Sequence, residues 1–267
     1  MPDHLPLDNR LPELLRSGRP LRGLFNGLPS AAIVEMVAFA GFDFIVLDNE
    51  HGSSSFETTE NLLRAARASG LPALVRCLET DIARTLDAGA GGLKIPMVHT
   101  ALHAAALVQR VKYPLPGGAG GQRGSAFSTR AAGYGAYGGP QHTRRSNDGI
   151  ALMVMIESLE GVGNAAAIAA VDGVDGVFVG PNDLSHSMGF ESRWNEPPVQ
   201  AAIESALKAV AAAGKCAGIL ALTPQEEERY AAWGARYFAG TTTGLITKAF
   251  KDAADIGRQV GESRLGY

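Results

Sequence analysis

Glu157 and Asp183 each stand just past a short apolar run, residues 150–156 and 174–180. Two carboxylates at neighbouring strand ends, with no cysteine or His-x-x-x-His beside them, suit a hard divalent cation. Mg²⁺ or Mn²⁺ fits best, with Co²⁺ as a further candidate. Taken singly, each could simply cap a strand or a helix. Gly180-Pro-Asn-Asp-Leu-Ser185 reads as the opening of a short helix, so the backbone of Gly180, Asn182 and Asp183 could seat a carboxylate. An ordinary capped turn is the alternative. Arg76 ends the run 71–75, and a guanidinium there matches keto or carboxylate oxygens, or else forms an ion pair with Asp48. Asp48 and His51 follow the run 42–47, where a carboxylate could fix an imidazole for proton transfer. Glu50 between them reads equally as a supporting or a solvent-facing group. Lys94, in Leu93-Lys-Ile-Pro96, could form a Schiff base, but its sequence neighbours offer no device to lower its pKa.

Elements that would deliver these groups to one place follow from the apolar rhythm. Strands are expected at 22–26, 42–48, 72–76, 92–97, 151–157, 176–179, 216–220 and 237–239. Helices are expected at 31–40, 57–69, 82–88, 102–111, 163–170, 199–213, 224–233 and 245–257. Eight βα units in about 250 residues predict a single-domain α/β chain, a (β/α)8 TIM barrel with its site at the C-terminal strand ends. A doubly wound sheet would need a glycine-rich first turn, whereas this one reads Asn26-Gly-Leu-Pro-Ser30. Residues 1–20 form an N-terminal extension. The glycine-rich insertion 112–149, with Arg123, Arg130, Arg144 and Arg145, reads as a flexible or subunit-contact loop, or as a lid.

Composition removes several classes of function. The 267 residues are 46% hydrophobic and 19% charged, with a net charge of −3, which leaves no basic stripe for nucleic acid. No stretch reaches the roughly 20 apolar residues that cross a bilayer, and the opening residues lack a signal-peptide pattern. Cys77 and Cys216 provide no disulfide framework, so a cytoplasmic location is expected.

Taken together, Gly41–His51 (GFDFIVLDNEH), Leu74-Val-Arg76, Asp87-Ala-Gly89, Pro96-Met-Val98, Arg123-Gly124, Met155-Ile-Glu157 and the stretch from Val174 to Ser185 resemble the metal-dependent (class II) pyruvate aldolases of the 4-hydroxy-2-oxoheptanedioate aldolase and 2-dehydro-3-deoxyglucarate aldolase family. The resemblance runs from Gly23 to about Ile256, and its Val174–Ser185 part is the most specific. It implies a barrel that is commonly hexameric, with the C-terminal helix exchanged between subunits. It also implies that Glu157 and Asp183 bind the metal, Arg76 contacts the pyruvyl oxygens, His51 with Asp48 forms an acid/base dyad, and Gly180, Asn182 and Asp183 bind the substrate anion. The expected reaction is reversible aldol cleavage of a 4-hydroxy-2-oxo acid to pyruvate and an aldehyde through a metal-stabilised enolate, in a homo-oligomer (hexamer or trimer). An acyl-CoA lyase of malyl or citramalyl type and a non-catalytic ligand-binding barrel are the alternatives. Met155 stands where many relatives carry Gln, on the same strand side as Glu157, so a polar contact near the metal is lost.

Overall fold

The computed structural model describes residues 7–264. Eight parallel strands close into a barrel in chain order. They are β1 (Leu21–Asn26), β2 (Phe44–Asp48), β3 (Ala73–Arg76), β4 (Gly92–Ile95), β5 (Ala151–Ile156), β6 (Gly176–Val179), β7 (Cys216–Leu220) and β8 (Tyr237–Thr241). Closure is made by β8 lying parallel to β1, with Leu21 opposite Tyr237 and Phe25 opposite Thr241.

The two-residue period of a strand divides each run between two cores. Ile45, Leu47, Val75, Leu152, Val154, Val177 and Val179 face outward and pack under the helices. Phe44, Val46, Leu74, Met153, Met155 and Phe178 face inward and fill the barrel. Continuing that period by one step places Asp48, Arg76, Glu157 and Gly180 as the last inward positions of β2, β3, β5 and β6. The site is therefore the open top layer of the barrel's own core.

Local chemistry sets the helix ends. Thr100 accepts from the His103 N–H at 3.1 Å, and Thr223 forms a reciprocal capping box with Glu226. Ser30 precedes its helix but makes no side-chain cap. Gly41 and Gly234 close helices at φ 86° and 100°, a conformation that a Cβ disfavours. The helix expected at 163–170 is two short ones, Leu159–Gly163 and Ala165–Ala169, and the last helix runs Thr242–Arg264.

Two regions differ from expectation. The N-terminal extension, whose first six residues lie outside the described ones, contains a helix, Leu11–Arg16. Its Leu11 and Leu15 are buried in the inner core and plug the barrel floor. Insertion 112–149 is not a loose loop. It forms 3-10 turns at Pro116–Gly118 and Arg130–Gly135 and a helix at Pro140–Gly149. The Arg123 side chain, 1% exposed, pairs with Asp87 at 3.0 Å, and Arg130 donates to the Ala88 carbonyl at 2.7 Å. Both cations thus bind the C-terminal end of helix Ile82–Asp87, where the orphan carbonyls and helix dipole favour positive charge. That end leads into β4, so the insertion docks on the face opposite the site.

Candidate active site

A cleft of about 410 Å³ opens at the C-terminal strand ends. Asp48, His51, Arg76, Glu157, Gly180, Asn182 and Asp183 all line it, with Phe25, Met155, Phe178, Leu220, Thr241 and Thr243 completing the walls. The residues expected to bind metal and substrate and to move protons thus meet in one place, whereas Lys94 and Glu50 do not line it.

The internal pairing differs from the expected dyad. Arg76 donates from Nε to Asp48 Oδ1 at 2.8 Å and from Nη2 to Oδ2 at 2.6 Å. This two-pronged pair is the alternative that the sequence left open for Arg76. Asp48 does accept from the backbone N–H of His51, at 3.3 Å, and of Glu50, at 3.2 Å, but no bond joins it to the imidazole. Residues three apart at a strand end curl so that the carboxylate caps the turn, while the ring swings outward. The His51 side chain is 66% exposed, and its Nε2 lies 3.9 Å from Glu50 Oε2. Glu50 Oε2 in turn forms an ion pair with Arg76 Nη1 at 3.2 Å, without hydrogen-bond geometry. Arg76 is therefore fixed from two sides by Asp48 and Glu50, and Glu50 has the supporting role. Burial works against the ionised form of Asp48. The bonds and charge of Arg76 outweigh it and hold the carboxyl below its usual range.

Glu157 has the opposite environment. It is 3% exposed and, among the described residues, accepts one protein donor, the Met97 N–H, at 2.8 Å to Oε2. Met97 reaches that position with φ 57°, an uncommon conformation for a residue with a side chain. Burial first, and then the like charges of Asp183 and Glu50, push the Glu157 carboxyl up to about 7. Gly180 passes so close that a Cβ there would lie 2.7 Å from Glu157 Oε1. A side chain at that position would crowd the carboxylate's free oxygen, which glycine leaves uncovered. A buried carboxylate crowded by a second acid, one oxygen unshielded by side chains, is the donor set that a hard divalent cation satisfies. Glu157 and Asp183 fit such an ion.

This environment has a consequence for stability. In metal-free protein the folded state keeps the Glu157 proton up to about pH 7, whereas the unfolded chain releases it near 4.5. The folded state then binds more protons, so stability falls as pH rises through that window, by up to about 3 kcal/mol. Thermal melts of metal-free protein across the window should show this decline, and Glu157→Gln should flatten it.

Several site groups were not legible in the sequence. Phe25 and Phe178 form its floor, ring edge to ring face at 5.5 Å. Asn49 and Thr59 bond reciprocally at 2.9 and 3.0 Å and tie the β2 loop to its helix. Lys94 lies in the barrel core with its side chain fully buried, and it does not line the cleft. Contrary to the sequence reading, its pKa falls well below the usual value, chiefly through burial.

Comparison with known proteins agrees with the barrel fold. The family model for HpcH/HpaI aldolase/citrate lyase matches residues 21–249. The chain is 39% identical over 251 residues to a hydroxypyruvate/pyruvate aldolase of Pseudomonas aeruginosa, covering 92% of this chain and 91% of that one. It is 39% identical over 246 residues to a 4-hydroxy-2-oxo-heptane-1,7-dioate aldolase of Salmonella dublin, covering 91% and 92%. A crystal structure of an HpcH/HpaI aldolase/citrate lyase family protein from Burkholderia cenocepacia J2315 superposes with a TM-score of 0.87 at 33% identity, over 94% of this chain and 99% of that one. A barrel with this cleft, matched along nearly its whole length, belongs to the HpcH/HpaI aldolase/citrate lyase family.

Proposed function

We propose that this chain is a divalent-metal-dependent carbon–carbon lyase that cleaves a 4-hydroxy-2-oxo acid reversibly to pyruvate and an aldehyde. The observation that carries the reading is Glu157, buried beside Asp183 with one oxygen left open by Gly180. The two carboxylates would hold Mg²⁺, Mn²⁺ or Co²⁺. Such an ion, when bound, supplies Lewis acidity toward the 2-keto and carboxylate oxygens of the substrate.

The chain's own groups do the rest. Arg76, locked by Asp48 and Glu50, presents a guanidinium that does not have to reorganise as charge builds on the keto oxygen during C–C cleavage. The backbone at Gly180, Asn182 and Asp183, opening helix Pro181–Ser187, receives the substrate carboxylate. His51, exposed at the cleft wall, takes the 4-hydroxyl proton in cleavage and returns it in synthesis. Asp48 acts on His51 only through the backbone of the turn, so its main service is to Arg76. Phe25, Phe178 and Leu220 shield the reacting carbon from water.

The protein works as a homo-oligomer, hexamer or trimer, in the cytoplasm. Support comes from a groove of about 370 Å³ between Leu24, Phe238 and Leu245, and from Phe250 and Ile256, 71% and 64% exposed on the last helix. Those apolar faces suit exchange of that helix with a neighbouring copy. Free, buried Cys77 and Cys216 suit a reducing compartment, and no helix among the described residues is long and apolar enough to cross a membrane.

The reading is tested by supplying 4-hydroxy-2-oxo acids and, separately, malyl-CoA, each with Mn²⁺ and with excess chelator. Pyruvate should form from a 4-hydroxy-2-oxo acid only when the metal is present. Turnover of malyl-CoA alone would move the chain to acyl-CoA lyase chemistry, and cleavage untouched by chelator would remove the metal from the mechanism.

A further inference from the structure

Among the groups in the barrel core that the mechanism does not use, one is an amine. Lys94 on β4 lies in register with Arg76 on β3 and Met153 on β5, and the strand period turns it inward. Its amine is enclosed and has no hydrogen-bond partner among the described residues. Three aromatic rings surround it instead. Nζ lies 3.7 Å from the ring centre of Phe178 and 4.4 Å from those of Phe25 and Tyr237.

This arrangement is a cage for a cation. The faces of aromatic rings carry partial negative charge and attract an ammonium most strongly where water is excluded. A neutral alkyl side chain would fill the same space without leaving a buried polar atom unpaired, so the amine needs a physical reason to be there. Two of the three rings, Phe25 and Phe178, also form the floor of the cleft. Arg76 lies over Phe25 as well, with Cζ 4.8 Å from the ring centre. Phe25 thus contacts both the site's guanidinium and the buried amine. Burial, and next the charge of Arg76, press the amine toward neutrality, while the carboxylates of Glu157 and Asp48 counter them. The ring faces add to that counterweight.

We propose that Lys94 is a positioning residue for the reaction, an ammonium caged by Phe25, Phe178 and Tyr237 that fixes the cleft floor and places positive charge beneath the bound 2-oxo acid. Its kinetic part rests on the aldolase reading above. The cage itself does not.

The experiment uses full-length protein with ¹⁵N-labelled lysine side chains. Among the six lysines, Lys94 is the one fully buried, so its Nζ signal is the one most protected from solvent exchange. At neutral pH that signal is expected in the ammonium range. Lys94→Met, similar in length and uncharged, should fold with unchanged near-ultraviolet circular dichroism, since apolar replacement of a buried charge is commonly tolerated. It should lower kcat for cleavage about tenfold while changing KM less than about twofold, the split expected when charge stabilisation appears mainly in the transition state. It should also weaken oxalate, a planar dianion shaped like the enolate of pyruvate, about fivefold in Mn²⁺ buffer. A neutral-amine signal in the wild type overturns the proposal. So does a folded Lys94→Met that keeps both kcat and oxalate affinity. If Lys94→Met fails to fold, the wild-type signal decides alone. If the wild type cleaves no 4-hydroxy-2-oxo acid, the aldolase reading fails, and the cage still stands or falls on the signal and on oxalate.

Discussion

Glu157→Gln is expected to abolish measurable cleavage, a loss on the order of 10³-fold or more, because a divalent ion's Lewis acidity supplies several kcal/mol at the transition state. The substitution keeps the side chain's shape and still offers a carbonyl oxygen to the Met97 N–H, which now donates to Oε2 at 2.8 Å. What it removes is the negative charge. A buried carboxylate raised to about 7 by burial and by Asp183 resists ionisation until a cation arrives. A neutral amide cannot repay the dehydration of a hard ion. The same variant should be at least as stable as metal-free wild type at neutral pH, since a reluctant charge is gone from the core. Activity falling while stability holds separates metal binding from misfolding, and isothermal titration with Mn²⁺ should show the binding heat disappear.

Arg76→Ala should lower kcat/KM by on the order of 10²-fold or more, as loss of an oxyanion donor typically does. Here stability falls as well, because Asp48 and Glu50 are both left without their cation. Breaking a buried ion pair from one side costs about 3–5 kcal/mol, and the Arg76 and Asp48 side chains are only 11% and 9% exposed. Arg76→Lys should recover part of the stability and little of the rate. An ammonium cannot make the two parallel bonds that now fix the guanidinium at 2.8 and 2.6 Å. Adding Asp48→Ala to Arg76→Ala should restore stability more than activity. Denaturant melts beside steady-state rates would read both effects.

The barrel was legible because strand-like and helix-like runs alternate at βα spacing, and the strand period then dictates which side chains reach the mouth. Glu157 and Arg76 followed from that period, and Gly180 and Asp183 from the helix opening at Gly180–Ser185. The pairing within the site did not. Asp48 and His51 are close in sequence, yet the partner of Asp48 is 28 positions away, and only the register of β2 against β3, Asp48 opposite Arg76, brings the two together. The helix Leu11–Arg16 is too short for its period to stand out, and its role as a plug depends on the barrel it closes. Lys94 was misjudged for a similar reason. Its low pKa comes chiefly from burial in the barrel core, beside rings on β1, β6 and β8, none adjacent in sequence. The insertion's order rests on Arg123 and Arg130 reaching a helix end 36 and 42 residues earlier.

Exchange of the methyl protons of pyruvate with D₂O, followed by NMR in the presence of enzyme and Mn²⁺, tests the central claim most directly. It reads enolate formation without requiring knowledge of the aldehyde. Exchange should proceed in wild type, stop with chelator, and be absent in Glu157→Gln. Exchange that survives chelation or the Glu157→Gln substitution would contradict a cation held at that carboxylate.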